Sequence, residues 1–106
     1  MSIIIALVED DPTIRQNYSD ALSRAGYEVA AFGNRQSATQ ALTTRMPDLA
    51  IIDIGLGAEI DGGFALCRDL RSRSATLPIV FLSARVEHEV LPAWASRLAA
   101  TAWFHP

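Results

Sequence analysis

Two groups of side chains in this sequence could do chemistry together. Glu9, Asp10 and Asp11 follow directly on the apolar run Ile3 to Val8, and Asp53 follows directly on a second apolar run, Leu49 to Ile52. If the two runs are strands of one sheet, three or four carboxylates meet over its edge. Such a cluster repels itself and is tolerable mainly where a hard divalent cation neutralises it. Mg²⁺ suits the role, because it takes oxygen ligands, keeps several waters and bridges carboxylates to phosphate. An acid after a strand also serves simply to cap the next helix, where the macrodipole favours negative charge. Asp11, beside Pro12, fits that plainer role, whereas Asp10 and Asp53 together point to the cation. A third run, Ile79 to Leu82, ends in Ser83-Ala84. A serine there is ordinarily a turn residue, but beside a phosphorylated aspartate its hydroxyl would donate to a phosphoryl oxygen.

The elements that must position these groups are legible in the spacing. The three runs are too short for helices and apolar on both faces, as in strands covered on both sides. Glu28 to Phe32 is a weaker strand candidate, and Ala102-Trp103-Phe104 a fifth. Between them the period becomes helical. Ile14, Tyr18, Ala21, Leu22 and Ala25 form one stripe, with Arg15, Gln16, Ser19 and Asp20 off it. Pro12 suits the first turn and Gly26 the stop. A second helix is expected from an Asn34 N-cap, with Ala38, Ala41 and Leu42 inward, to a point before Met46-Pro47. A third spans about Gly63 to Arg73 with Phe64, Leu66, Cys67 and Leu70 as its apolar side. A fourth, Glu87 to Leu98, is interrupted by Pro92. Alternating strands and helices at this spacing imply right-handed βαβ units and a parallel α/β sheet. In such a sheet, functional groups collect beyond the carboxyl ends of the strands.

Composition narrows the partners. With 106 residues, half of them hydrophobic, the chain suffices for one ordinary core, so one domain is expected over 1–106. The net charge is −3, all nine Lys+Arg positions are arginine, and the longest basic face is Arg68, Arg71 and Arg73. That argues against nucleic-acid binding by this segment itself. No apolar stretch approaches the roughly 18 residues that span a bilayer, so no membrane partner is expected. The single Cys67 sits among apolar neighbours as a small buried hydrophobe, in keeping with a reducing, cytoplasmic compartment.

The segments Ile5-Ala6-Leu7-Val8-Glu9-Asp10-Asp11-Pro12, Pro47-Asp48-Leu49-Ala50-Ile51-Ile52-Asp53-Ile54, Asp61-Gly62-Gly63-Phe64-Ala65-Leu66-Cys67 and Leu77-Pro78-Ile79-Val80-Phe81-Leu82-Ser83-Ala84-Arg85 together resemble the receiver domains of bacterial two-component response regulators. The four lie in order across residues 3–85, and it is their register that makes the match specific. The resemblance implies a flavodoxin-like, doubly wound, parallel five-stranded sheet in the order 2-1-3-4-5. It implies that Asp53 accepts a phosphoryl group from a sensor histidine kinase. Asp10 would be a direct Mg²⁺ ligand, Glu9 a ligand through water, and Asp53 and the backbone carbonyl of Gly55 would complete the metal site. Ser83 would be the switch hydroxyl. A homodimer is compatible with the family, and DNA would be reached only through an output domain beyond Pro106.

Two features depart from the pattern. The loop from Ile54 to Ile60 is one residue longer than is common before Asp61-Gly62, and it lacks the usual proline. The family also carries a lysine before a proline at the end of the fifth strand. This chain has no lysine, and counting forward from Ser83 places His105 and Pro106 there. No fifth helix follows; truncation, divergence and a disturbed reading frame all produce this pattern. A second reading is therefore an interaction module that keeps the fold with impaired phospho-switching. A dedicated enzyme, such as a phosphohydrolase working through an aspartyl phosphate, is disfavoured, because its signature places a second aspartate two residues after the nucleophile. Here that position is Gly55.

Overall fold

The computed structural model describes residues 2–53, 62–82 and 102–104. Strands β1 (Ile4–Val8), β2 (Glu28–Phe32), β3 (Leu49–Asp53) and β4 (Ile79–Leu82) alternate with helices α1 (Pro12–Arg24), α2 (Arg35–Thr44) and α3 (Gly62–Arg73), and Ala102–Phe104 forms β5. The sheet order is β2-β1-β3-β4-β5, with every neighbouring pair parallel. This is a doubly wound, flavodoxin-like arrangement. The chain steps from β1 outward to β2, then returns past β1 to β3, so the topological switch point lies between β1 and β3. Val8 stands beside Ile52 in that register, which leaves Glu9 and Asp53 at the same edge.

Each helix is bounded by the chemistry its ends require. Asp11 caps α1 and Asn34 caps α2, each accepting from backbone N–H groups of the first turn. At the far end of α1, Gly26 adopts φ 100°. Its N–H donates to Ser23 O at 3.0 Å, and the Tyr27 N–H donates to Leu22 O at 3.2 Å, a Schellman closure that satisfies two orphan carbonyls. The start of β3 is tied to β1 by Asp48, whose Oδ2 accepts the Ile4 N–H at 2.8 Å and whose own N–H donates to Ile4 O at 2.8 Å.

Right-handed crossovers place α2 and α3 on one face of the sheet and α1 on the other. The α2/α3 side holds the main core: Ala6, Val8, Ala50, Ile52, Ile79 and Phe81 from the strands meet Ala38, Leu42, Phe64, Leu66, Cys67 and Leu70 from the helices. Phe64 and Phe81 meet edge to face at 5.1 Å between ring centroids, a geometry that aligns the positive ring edge with the negative face. The apolar side expected for α3 is thus the buried one, Cys67 included.

The inward stripe expected on α1 needs correction. No residue of α1 is fully buried, Ile14 is 40% exposed, and Ala21 and Ala25 are exposed, while Tyr18 and Leu22 are half-buried. Between α1 and the sheet runs an apolar groove of about 260 Å³, bordered by Tyr18, Ala21, Leu22, Ile51, Val80 and Leu82. Periodicity registers which side of a helix is apolar, but how deeply that side is covered depends on what else packs on the same sheet face. Ala41, expected inward on α2, is likewise exposed; only Ala38 and Leu42 of that stripe reach the core. The expected helix over 87–98 lies outside the described residues. Among the described residues no helix is long and apolar enough to cross a membrane.

Candidate phosphoacceptor and metal site

Because β1 and β3 are parallel neighbours, both deliver their carboxyl-terminal residues to one edge. Carboxylate oxygens of Glu9, Asp10 and Asp53 lie within 4.8 Å of one another. Two of the three residues are nearly out of solvent, Glu9 at 4% exposure and Asp53 at 5%. They are the only buried charged residues described, so the fold concentrates its electrostatic cost at this one place.

The consequence appears on Glu9. Burial pushes its carboxyl up from the ordinary 4.5 to about 7, assisted by the negative charge of Asp53 and by hydrogen bonds with the Asp10 and Asp53 carboxyls; the Asp11 amide pulls the other way. That amide donates to Glu9 Oε1 at 3.1 Å. Three ionised carboxylates this close cannot all stay charged in a low dielectric, so without a cation one proton is retained. A donor set made wholly of carboxylate oxygens, two of its three residues buried, fits a hard divalent ion and not a soft one. Glu9, Asp10 and Asp53 are the residues that would hold it.

Asp11 stands apart from the cluster. Its backbone is extended, and its Oδ1 accepts from the Thr13 N–H at 2.9 Å and the Ile14 N–H at 3.1 Å, with Pro12 at the first helical position. Its carboxylate is engaged with the helix. Alanine at each of the three acids should therefore separate the roles. Asp10→Ala weakens Mg²⁺ binding most and Glu9→Ala less. Asp11→Ala leaves binding nearly intact and costs about 1 kcal/mol of stability through the lost cap. Mg²⁺ titration and thermal melts of the three variants test this, and the smallest loss of affinity at Asp10 would contradict it.

Ser83, His105 and the Gly55 carbonyl lie outside the described residues. One residue acquires a place that its spacing did not suggest. Arg15 was expected off the apolar stripe of α1 with the other polar side chains; instead it is half-buried, and its Nη1 donates to the Glu9 carbonyl oxygen at 2.8 Å. The available signal was an arginine one turn into a helix that begins at an acidic strand end, but helical periodicity alone treats it as a solvent-facing position.

Comparison with known proteins identifies the family. The model of the response regulator receiver domain family matches residues 5–100. The transcriptional regulatory protein GltR of Pseudomonas aeruginosa is 43% identical over 82 residues, covering 76% of this chain and 33% of the relative. The sensory transduction protein BceR of Halalkalibacterium halodurans is 41% identical over 81 residues, 76% of this chain and 34% of its own length. The chain thus spans about a third of the length of these curated relatives. Among solved structures, the receiver domain of NtrX from Brucella abortus superposes with a TM-score of 0.83 at 29% identity, covering 95% of this chain and 83% of that one. The chemotaxis protein CheY4 of Vibrio cholerae does so with 0.86 at 25% identity, covering 99% and 87%. With its carboxylates gathered at the switch point of a doubly wound sheet and a family match over nearly its whole length, the chain belongs to the response regulator receiver domains.

Proposed function

We propose that this receiver takes a phosphoryl group onto Asp53 in a Mg²⁺-dependent reaction, the donor in the cell being the phosphohistidine of a sensor kinase. The observation that carries the reading is the convergence of Glu9, Asp10 and Asp53 within 4.8 Å at the switch-point edge. A carboxylate oxygen of Asp53 attacks the phosphorus, and the bond from phosphorus to the donor's leaving atom breaks. The leaving group departs with that electron pair and takes up a proton. Phosphoryl transfer needs little covalent help beyond placement and charge neutralisation. Mg²⁺, when bound, supplies that neutralisation at the phosphoryl oxygens. Asp10 would hold the ion directly and Glu9 through water, and the family resemblance adds the Gly55 carbonyl to the set. The Ser83 hydroxyl would donate to a phosphoryl oxygen, and by sequence count His105 takes the place of the family's lysine. The chain catalyses no turnover of a separate substrate. Its phosphorylated state acts on an output domain beyond Pro106, which would be the part that meets DNA, or on a second copy in a homodimer. Transcriptional regulation is the output suggested by relatives such as GltR.

The test is incubation with a small phosphodonor such as acetyl phosphate and Mg²⁺. The chain should gain the mass of one phosphoryl group, and chelation of Mg²⁺ should abolish the gain. No gain at saturating Mg²⁺ would refute the proposal. The sequence supports one alternative, an interaction module with impaired switching, because no lysine is present to follow the phosphoryl group. Uptake of the phosphoryl group without accompanying shifts in the amide spectrum would favour it.

A further inference from the structure

We infer that Arg15 is a positioning residue, a clamp on the main chain at Glu9 that sets where the Glu9 and Asp10 carboxylates stand. The inference rests on the reading of that cluster as a Mg²⁺ site.

Glu9 is the first residue past β1, where ladder pairing to β3 has ended and the chain must turn toward α1. Its N–H is held from one side, donating to Phe32 O at the end of β2 at 3.0 Å. Its carbonyl is held from the other, by Arg15 Nη1 at 2.8 Å. The two peptides that flank the Glu9 Cα are thereby each anchored, the one before it by β2 and the one after it by Arg15, and rotation of the second would swing the Asp10 carboxylate away from Asp53. The Glu9 side chain is fixed in turn by the Asp11 N–H.

The guanidinium has been given space for this task. A Cβ built on Gly33, just after β2, would lie 3.0 Å from Arg15 Nη1 and 3.5 Å from its Cζ. Gly26 is the one glycine described with a positive φ, so the glycine at 33 answers to room and not to backbone conformation. A flat guanidinium, with donors in a rigid fork, can lie against the bare backbone and still reach the carbonyl; a lysine offers one point charge on a looser stem. Arg15 meets the site through the Glu9 carbonyl oxygen, so it acts on where the main chain stands.

Arg15→Met, Arg15→Lys and Gly33→Ala, each in the full chain, test the clamp. The alanine methyl keeps the charge and the donors but pushes the guanidinium, the movable end of a flexible side chain, off its seat. Mg²⁺ affinity is measured by calorimetry on folded protein, and exchange of the Asp11 amide is measured in metal-free protein. Groups that orient ligands typically cost 10- to 100-fold in metal affinity when removed, so Arg15→Met should lose about tenfold. Arg15→Lys should recover part of that, and Gly33→Ala should shift in the same direction as Arg15→Met. The Asp11 amide should exchange faster in Arg15→Met and Gly33→Ala, because its acceptor is no longer held. Unchanged Mg²⁺ affinity in Arg15→Met overturns the clamp even if the melting temperature falls. Tighter binding, the signature of a merely repulsive cation removed, overturns it as well. A wild-type chain that binds no Mg²⁺ overturns the metal reading and the clamp together, whereas variants that match a binding wild type overturn the clamp alone.

Discussion

Asp53→Asn will take up no phosphoryl group from a small phosphodonor, and the same substitution will make the metal-free fold more stable above neutral pH. The first effect follows from nucleophilicity: a carboxylate oxygen carries the negative charge that attacks phosphorus, and the neutral oxygen of a carboxamide is a far weaker nucleophile. The second follows from position. Asp53 is 5% exposed and its charge helps to push the Glu9 carboxyl upward. An amide there removes a like charge and can donate to Glu9, so Glu9 ionises at lower pH and with less cost to the folded state. Mass spectrometry after phosphodonor treatment reads the first effect, and melting at pH 8 with chelator reads the second. Equal labelling of the Asn variant would move the acceptor elsewhere. A destabilised Asn variant at pH 8 would mean that Asp53 is not a source of strain in the resting site.

The separate consequences of one substitution show how far the sequence could be read. Asp53 and Glu9 could be brought together from the page because parallel strands carry a simple rule: acids that end adjacent strands share an edge. Asp11 could be set apart because a capping residue beside Pro12 has a local signature, which its bonds to the Thr13 and Ile14 N–H groups confirm. The apolar side of α3 was equally legible, since Phe64, Leu66, Cys67 and Leu70 are covered by strands whose own pattern is unbroken. What periodicity could not supply was depth. Ile14 and Ala21 lie on the right stripe of α1 and remain exposed, because the neighbouring elements, and not the helix itself, decide coverage. Nor could it supply Arg15, whose reach to Glu9 depends on a three-dimensional gap at Gly33 that no local pattern encodes.

Mg²⁺ affinity will fall steeply as pH drops below neutral, and the cause will be Glu9. Its folded pKa of about 7 lies above the ordinary 4.5, so between those values the folded, metal-free chain holds a proton that the unfolded chain has released. The sign is therefore fixed: this contribution to stability is fully present below about pH 4.5 and is lost as pH rises through about 7. A divalent cation reverses the preference, because it needs the ionised carboxylate and must displace the proton to bind. Below pH 7 each pH unit should cost up to about tenfold in affinity for one linked proton, giving roughly fiftyfold weaker binding at pH 5 than at pH 7 and a plateau by about pH 8. Calorimetry in buffers of different ionisation heat will count the proton, close to one released per Mg²⁺ at pH 6 and almost none at pH 8.5. Saturating Mg²⁺ will raise the melting temperature more at pH 8 than at pH 5, because stabilisation grows with the ratio of ligand concentration to Kd. Glu9→Gln keeps the shape and removes the titration, so its affinity should be weaker at pH 8 yet nearly flat from pH 6 to 8. A wild-type affinity that is itself flat from pH 5 to 8 would show that the cluster keeps no proton, and would require a different account of how three carboxylates this close coexist.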